Sequence, residues 1–215
     1  MTLSLTLAII IFTSLVSITT FGNRKIVQEL IFYPPAITQQ GQWYRFFTCG
    51  LLHADWEHLI FNMLSLYLFG ATVENYFKSD MLFGEMGQVL FLVLYIFALL
   101  FSLIPTFFKH HKDYHYRSLG ASGAVSAIVF AGILFNPTAK LGFFLIPPII
   151  PGYIFGPLYL LLSTWLEKKG KDNINHSAHI WGALFGIGFT VVLASIWQTE
   201  YQPWQQMIEK IYRSL

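Results

Sequence analysis

Two polar residues with catalytic potential stand at the start of apolar stretches. Ser122 lies between glycines in the motif Gly-Ala-Ser-Gly at residues 120–123, and His179 stands early in residues 177–197. A serine hydroxyl becomes a good nucleophile when a neighbouring imidazole takes its proton. The two residue types therefore predict acyl-transfer chemistry. We expect a Ser–His dyad rather than a triad, because no Asp or Glu lies within residues 177–197.

A second pair, His58 and Asn62, has the side chains that an oxyanion site requires. Because the two residues are four positions apart, both project from one face of a helix. Each can donate a hydrogen bond to a developing oxyanion, together with the backbone N–H of Ser122, and losing one such donor typically costs ~3 kcal/mol in the transition state. Taken alone, the pair fits equally well a buried His–Asn pair that bonds only to backbone.

The composition predicts a membrane protein. Of the 215 residues, 55% are hydrophobic and only 11% are charged, and the apolar residues occur in long runs. The net charge of +2, without a long basic block, gives no basis for nucleic-acid binding. The single cysteine, Cys49, excludes an intramolecular disulfide.

The positions of the apolar runs predict an all-α, polytopic fold with six membrane-spanning helices. The six spans are residues 3–21, 58–77, 86–108, 119–135, 152–166 and 177–197. Residues 22–57 are expected to form a long loop, the proline-containing residues 141–151 an interfacial segment, and the amphipathic tail a helix at the membrane surface. We expect residues 1–215 to form a single membrane domain without a separate soluble domain.

This topology places the four candidate residues in one layer of the membrane. The even-numbered spans run in the same direction, so the residues at their N-terminal ends lie near one face. Span six also carries Gly182 and Gly186, and small residues at this spacing let membrane helices approach closely. Glycines of this kind can serve packing alone, but close packing here would also bring Ser122 within reach of His179.

Together these motifs resemble the rhomboid family of intramembrane serine proteases. The matching segments are Gly-Ala-Ser-Gly at 120–123, Ala-His-Ile-Trp-Gly at 178–182 with Gly186, His-Leu-Ile-Phe-Asn at 58–62, and Trp-Tyr-Arg at 43–45. The resemblance covers about residues 42–188 and implies a rhomboid core at about 42–197. A lone Gly-x-Ser-Gly is weakly specific, whereas three motifs in this order and spacing are specific.

The resemblance implies a role for each site residue. Ser122 would be the nucleophile and His179 the base, while His58, Asn62 and the backbone around Gly120 and Ala121 would bind the oxyanion. The family uses neither a metal nor a cofactor, and its substrates are transmembrane proteins within the lipid bilayer.

The sequence departs from the family at one position near the dyad. Ser126 stands where some members carry a tyrosine that packs beneath the catalytic histidine. The smaller side chain leaves open what orients His179.

Other interpretations of the same residues remain open at this point. His176 is a rival base three residues before His179, although only His179 has glycine at the third and seventh following positions. A channel or transporter could also use buried His and Asn, and a rhomboid-like protein could bind membrane helices without catalysis. The histidines of the loop before span four lack an acidic or cysteine partner pattern for a metal. These histidines are His110, His111 and His115.

Substrate entry and membrane orientation follow from less direct signals. A substrate helix must unwind to present a peptide carbonyl to Ser122. We expect lateral entry past the fifth span, at Pro151, Gly152 and Pro157, because its prolines make it the least rigid wall of the bundle. With a cytoplasmic N-terminus, four Lys and Arg lie on the inner side and nine on the outer side, which contradicts the positive-inside rule. The resemblance instead implies a bacterial plasma membrane, with the site open to the extracytoplasmic side.

Overall fold

The computed structural model describes residues 4–142, 148–170 and 174–215, and this part of the chain is mostly helical. The helices, in chain order, are α1 (Leu5–Thr20), α2 (Arg24–Leu30), α3 (Pro34–Gln40), α4 (Arg45–Thr48), α5 (Trp56–Phe77), α6 (Gly87–His110), α7 (Ser122–Phe135), α8 (Gly152–Lys169), α9 (His176–Ile196) and α10 (Pro203–Tyr212). Between α7 and α8, β1 (Lys140–Leu141) pairs antiparallel with β2 (Ile150–Pro151). The predicted all-α class is therefore confirmed, with one short β-hairpin added.

Each of the six predicted spans coincides with a helix, namely α1 and α5 to α9. Among the described residues, two helical segments are long and apolar enough to cross a membrane. They are Gly84–His110, which is α6 preceded by the 3₁₀ turn Gly84–Met86, and α9. Helices α1 and α7 are apolar but shorter, with 16 and 14 residues. The predicted number of six membrane crossings stays a prediction.

The first loop is more ordered than the sequence indicated. Residues 22–57 were expected to form a loop, but they contain the short helices α2, α3 and α4. The buried side chain of Arg45 connects α4 to the end of α2, since Nη1 donates to the carbonyl oxygens of Gln28 at 2.9 Å and Ile31 at 2.8 Å. Arg45 of the Trp-Tyr-Arg segment therefore has a structural role in the first loop.

Helix α7 occupies the centre of the bundle. Its residues from Gly123 to Phe135 are buried with the exception of Val129, and they pack against α5, α6 and α9. A Cβ atom on Gly182 of α9 would overlap the carbonyl oxygen of Gly123, and one on Gly186 would overlap that of Ala127. The two glycines therefore let the backbones of α7 and α9 touch, as predicted from their spacing.

The segment between α7 and α8 lies at the end of α7 that is remote from Ser122. Residues 143–147, including Pro147 of the predicted interfacial segment, lie outside the described residues. On either side of them, the chain forms the β1–β2 hairpin. The backbone N–H of Gly152 donates to the carbonyl of Ala139 at 2.9 Å, and that of Tyr153 donates to Pro137 at 2.8 Å.

Candidate active site

Ser122 and His179 meet where two helices begin. Ser122 is the first residue of α7, and His179 lies in the first turn of α9. The Nε2 atom of His179 and the Oγ atom of Ser122 are 2.8 Å apart, within hydrogen-bond distance. When Nε2 carries no proton, the serine hydroxyl donates this bond. This is the geometry that proton transfer from the hydroxyl to the imidazole requires.

Polar contacts from two other parts of the chain hold the first turn of α9. The Oδ1 atom of Asn175 accepts hydrogen bonds from the backbone N–H of Ala178 at 3.0 Å and from the Thr106 hydroxyl at 3.2 Å. Glu167 accepts from the backbone N–H of Ser177 at 3.1 Å and from the ammonium group of Lys109 at 2.7 Å. Neither Asn175 nor Glu167 was predicted from the sequence, although an Asn directly before an apolar helix is a recognised N-cap signal.

These contacts also fix the ionisation of Glu167. Partial burial raises the pKa of this carboxyl group, but the hydrogen bond and charge of Lys109 and the N–H of Ser177 lower it by more. The net pKa lies below the ordinary value of a glutamate. The carboxylate at the start of α9 therefore stays charged at neutral pH, where it suits the positive end of the helix dipole.

Of the two histidines in the first turn of α9, His179 is the one bonded to Ser122. His176 is buried, and its ring packs edge-on against that of His179 with the centroids 5.7 Å apart. The geometry thus favours His179 over the rival base.

The ring of His58 lies directly over Gly120. A Cβ atom on Gly120 would stand 2.7 Å from Cε1 and 2.9 Å from Nε2 of His58, and the φ angle of Gly120 is +119°. Both facts require glycine at this position. The backbone N–H of Gly120 donates to the carbonyl of Cys49 at 3.0 Å, so this N–H is already engaged. Ala121 is buried and forms the N-cap of α7.

Gly120 therefore differs from the expectation for it, because its backbone N–H is committed to Cys49 instead of facing an oxyanion. The first N–H groups of α7 lack acceptors within the helix itself. The remaining candidate backbone donors are the N–H groups that follow Ala121, in the first turn of the helix that Ser122 begins.

Asn62 is buried on α5, one turn after His58. Its Nδ2 atom donates to the backbone carbonyl of His58 at 3.0 Å. This is the backbone-bonding arrangement that the sequence left open as the alternative interpretation. The amide nitrogen carries a second hydrogen, which is the one that an oxyanion could use.

His53 is a buried residue behind His58 that the sequence analysis did not single out. Its Nδ1 atom lies 2.8 Å from the Ser17 hydroxyl, and that hydroxyl also bonds to the carbonyl of Leu51 at 2.7 Å. The rings of His53 and His58 pack edge-on at 4.9 Å. Burial, together with any positive charge on His58, lowers the pKa of His53 to about 3. A neutral His53 therefore supports the position of His58.

Tyr159 of α8 contacts His179 and was not predicted from the sequence. Its ring stacks on that of His179 with the centroids 6.3 Å apart and the planes inclined by 25°. The Tyr159 hydroxyl lies 3.4 Å from the hydroxyl of Ser126. An aromatic ring therefore contacts His179, but it comes from α8 and not from position 126 of α7.

The other histidine-bearing segment forms local contacts. His110 bonds to Asp113 at 3.1 Å and stacks on Tyr116, and Nδ1 of His111 lies 2.7 Å from the carbonyl of Phe108. Within residues 4–142, 148–170 and 174–215, no group of three or more His, Cys, Asp or Glu side chains has the arrangement of a metal site.

The expected entry point needs correction. Pro151 and Gly152 lie beside Pro137, which follows the last turn of α7, whereas Ser122 begins that helix. A helix of 14 residues is about 21 Å long, so these two residues are remote from Ser122. Pro157 lies within α8, two residues before Tyr159.

Comparison with known proteins adds the family. The chain matches the family described as "Rhomboid domain" over residues 40–196. It is 29% identical over 155 residues to "RHOMBOID-like protein 12, mitochondrial" of Arabidopsis thaliana, covering 67% of this chain and 45% of that protein. It is 30% identical over 140 residues to "Presenilin-associated rhomboid-like protein A, mitochondrial" of Danio rerio, covering 64% of this chain and 34% of that protein.

A bacterial relative is similar over a comparable length. The chain is 24% identical over 157 residues to "Rhomboid protease AarA" of Providencia stuartii, covering 68% of this chain and 54% of that protein. The chain thus spans about a third to about half of the length of these three relatives.

Proposed function

Since this chain belongs to the rhomboid family, we propose that it is an intramembrane serine endopeptidase that hydrolyses peptide bonds in or near transmembrane segments of other membrane proteins. Ser122 is the nucleophile and His179 is the base. The observation that supports this assignment most directly is the 2.8 Å contact between the Ser122 hydroxyl and Nε2 of His179.

The first half of the reaction acylates the serine. The Ser122 oxygen attacks the carbonyl carbon of the substrate peptide while its proton moves to Nε2 of His179. The carbonyl oxygen becomes an oxyanion next to the first N–H groups of α7, where the positive end of the helix dipole stabilises negative charge. His58 and the second amide hydrogen of Asn62 supply further donors. The C–N bond then breaks, and His179 returns the proton to the leaving amine.

The second half of the reaction needs water. A cavity of about 10 Å³ lies beside Ser122 and is lined by the polar side chains of Ser102, Ser118 and Asn175. This volume is close to the room that one water molecule requires, and a buried water needs several polar partners. A water molecule gives a proton to Nε2 of His179 and attacks the acyl-enzyme carbonyl. The ester C–O bond then breaks, His179 returns the proton to the Ser122 oxygen, and the carboxylic acid product leaves.

The membrane arrangement is part of the same proposal. Helices α1 and α5 to α9 form a single bundle of six spans within residues 1–215, and the rhomboid core extends over about residues 42–197. Substrate helices enter beside α8 on the C-terminal side of Pro157. The protein resides in a bacterial plasma membrane with the site open to the extracytoplasmic side. A reporter enzyme fused to the C-terminus tests this orientation.

Covalent labelling tests the catalytic role. Purified chain in detergent micelles is treated with a fluorescent fluorophosphonate and, in parallel, with a panel of single-span substrates. We expect labelling and cleavage in the unmodified chain, and neither in Ser122→Ala. Ser195→Ala is the matched control, because Ser195 is an exposed serine near the other end of α9.

The alternatives predict different outcomes. A rhomboid-like protein without catalysis would bind single-span proteins but would neither label nor cleave. A channel or transporter would move solute across vesicle membranes, and Ser122→Ala would leave that transport intact. Labelling that persists in Ser122→Ala would contradict the assignment of the nucleophile.

A further inference from the structure

We propose that Tyr159 is the positioning residue for His179. Because α8 carries Tyr159, displacement of α8 also removes the ring that supports His179. The inference rests on the proposed function. It assigns to the chain a coupling between the helix beside which the substrate enters and the geometry of the dyad.

The first observation is the contact between the two rings. Tyr159 and His179 are nearly parallel, with an angle of 25° between the planes. The Tyr159 ring is itself held by aromatic contacts with Phe155 at 6.1 Å and with Phe130 at 5.8 Å. A ring that packs on the face of an imidazole restricts its rotation, and the position of Nε2 against Ser122 depends on that rotation.

The second observation is the small residue at position 126. The Ser126 side chain is buried and reaches the Tyr159 hydroxyl at 3.4 Å. A larger side chain on α7 would occupy the space that the phenol ring fills. With a serine on α7 and a tyrosine on α8, the aromatic ring that supports His179 is therefore carried by α8 and not by α7.

The third observation is the difference in packing between the two helices. Helix α7 is buried along its length, whereas α8 exposes one apolar face, on which Leu161 is 68% and Trp165 is 55% exposed. The contact between α8 and α7 is far smaller than the contact between α9 and α7. Movement of α8 away from the bundle thus breaks fewer contacts than movement of α7 would, and it carries the Tyr159 ring away from His179.

The first experiment separates the ring from its hydroxyl. We expect Tyr159→Leu to lower kcat about 10- to 100-fold with KM nearly unchanged, because a small misplacement of a reacting group has an effect of this size. Tyr159→Phe keeps the ring and should stay within about 3-fold of the unmodified chain. Trp165→Leu removes an aromatic side chain from the lipid-facing side of the same helix and should leave kcat unchanged. A kcat for Tyr159→Leu equal to that of the unmodified chain would overturn the proposal.

The second experiment distinguishes positioning from a general loss of structure. Adding Ser126→Tyr to Tyr159→Leu places a phenol ring on α7 in the space that was vacated. We expect the double variant to regain most of the lost kcat. If Tyr159→Leu fails because the protein misfolds, Ser126→Tyr does not restore it, and thermal unfolding of the purified variants reveals this directly. A folded double variant without restored kcat contradicts a positioning role, and so does a loss of kcat that is explained by unfolding of Tyr159→Leu.

The third experiment tests the coupling to α8. A Cβ atom on Gly156 of α8 would lie 3.3 Å from the Phe130 ring. The two further methyl groups of a valine would crowd this ring more, so we expect Gly156→Val to shift α8 outward from α7. We expect this change to slow fluorophosphonate labelling of Ser122 in the unmodified background. In the Ser126→Tyr/Tyr159→Leu background, where α7 holds the ring, labelling should be unaffected. Equal slowing in both backgrounds would refute the coupling.

These results are distinguishable from failure of the proposed function. If the unmodified chain neither labels nor cleaves, the protease assignment fails. If it labels at Ser122 but does not respond to changes at Tyr159, only the present inference fails.

Discussion

The two ends of α5 carry polar groups in surroundings that are otherwise apolar, and they are built differently. At the far end, the buried carboxylate of Glu74 accepts hydrogen bonds from the hydroxyls of Ser4 and Thr6 and from the backbone N–H groups of Leu5 and Thr6. Lys78 adds an ion pair at 3.4 Å. At the other end, α5 brings His58 to Gly120, next to the dyad.

The difference lies in what the hydrogen bonds at each end do. A carboxylate has about four acceptor positions, and Glu74 fills them with groups from the start of α1. This satisfies N–H groups that have no partner within α1 and fixes that helix to α5. The Ser122 hydroxyl instead shares one short bond with an imidazole, an arrangement in which the proton can move. The carboxylate of Glu74 therefore anchors α1 to α5, whereas the bond between Ser122 and His179 lets a proton move between its two partners.

The largest expected effect is on stability and concerns Glu74, near the C-terminal end of α5. Glu74→Ala leaves several buried donors at the start of α1 without acceptors, and we expect the free energy of unfolding to fall by about 3 kcal/mol. Ser122→Ala at the other end should change the free energy of unfolding by less than about 0.5 kcal/mol. Denaturant titration of both variants in the same micelles measures the contrast. Similar losses in the two variants would remove the distinction between the clusters.

A smaller effect is expected from Asn62→Ala, which tests whether Asn62 belongs to the chemistry or to the fold. If its second amide hydrogen binds the oxyanion, kcat should fall about 100-fold, because one donor is lost in the transition state. Asn136→Ala, at the end of α7 away from Ser122, is the matched control and should leave kcat unchanged. A loss of stability of about 1 kcal/mol with unaltered kcat would instead assign Asn62 to the backbone bond alone.

The smallest expected effect concerns pH and the cap of α9. The folded-state pKa of Glu167 lies below its ordinary value, so its contribution to stability is present above the unfolded-state pKa and is lost as pH falls through the folded-state pKa. We expect Glu167→Gln to be less stable than the unmodified chain by no more than about 1 kcal/mol near neutral pH. The difference should shrink when unfolding is measured at decreasing pH towards about pH 3. A difference that grows on acidification would show that the sign is wrong.

Much of this molecule follows from local features of the sequence. The six apolar runs predicted the positions of α1 and α5 to α9 to within a few residues, because the hydrophobicity of a run and its bounding polar residues are local properties. The spacing of Gly182 and Gly186 predicted the contact with α7 for the same reason. The helices within residues 22–57 were missed, since short helices have weak local signals and depend on contacts such as those of Arg45.

The sequence by itself determined that a serine and a histidine begin two apolar helices that lie in the same layer. Only the tertiary structure decided what surrounds them. The support of His179 by Tyr159, the commitment of the Gly120 N–H to Cys49 and the packing of His53 behind His58 each join residues far apart in the chain. Such contacts depend on how the helices are rotated and how closely they approach. The periodicity of a single helix does not contain this information, because side-chain contacts between helices are set by the packing of the whole bundle.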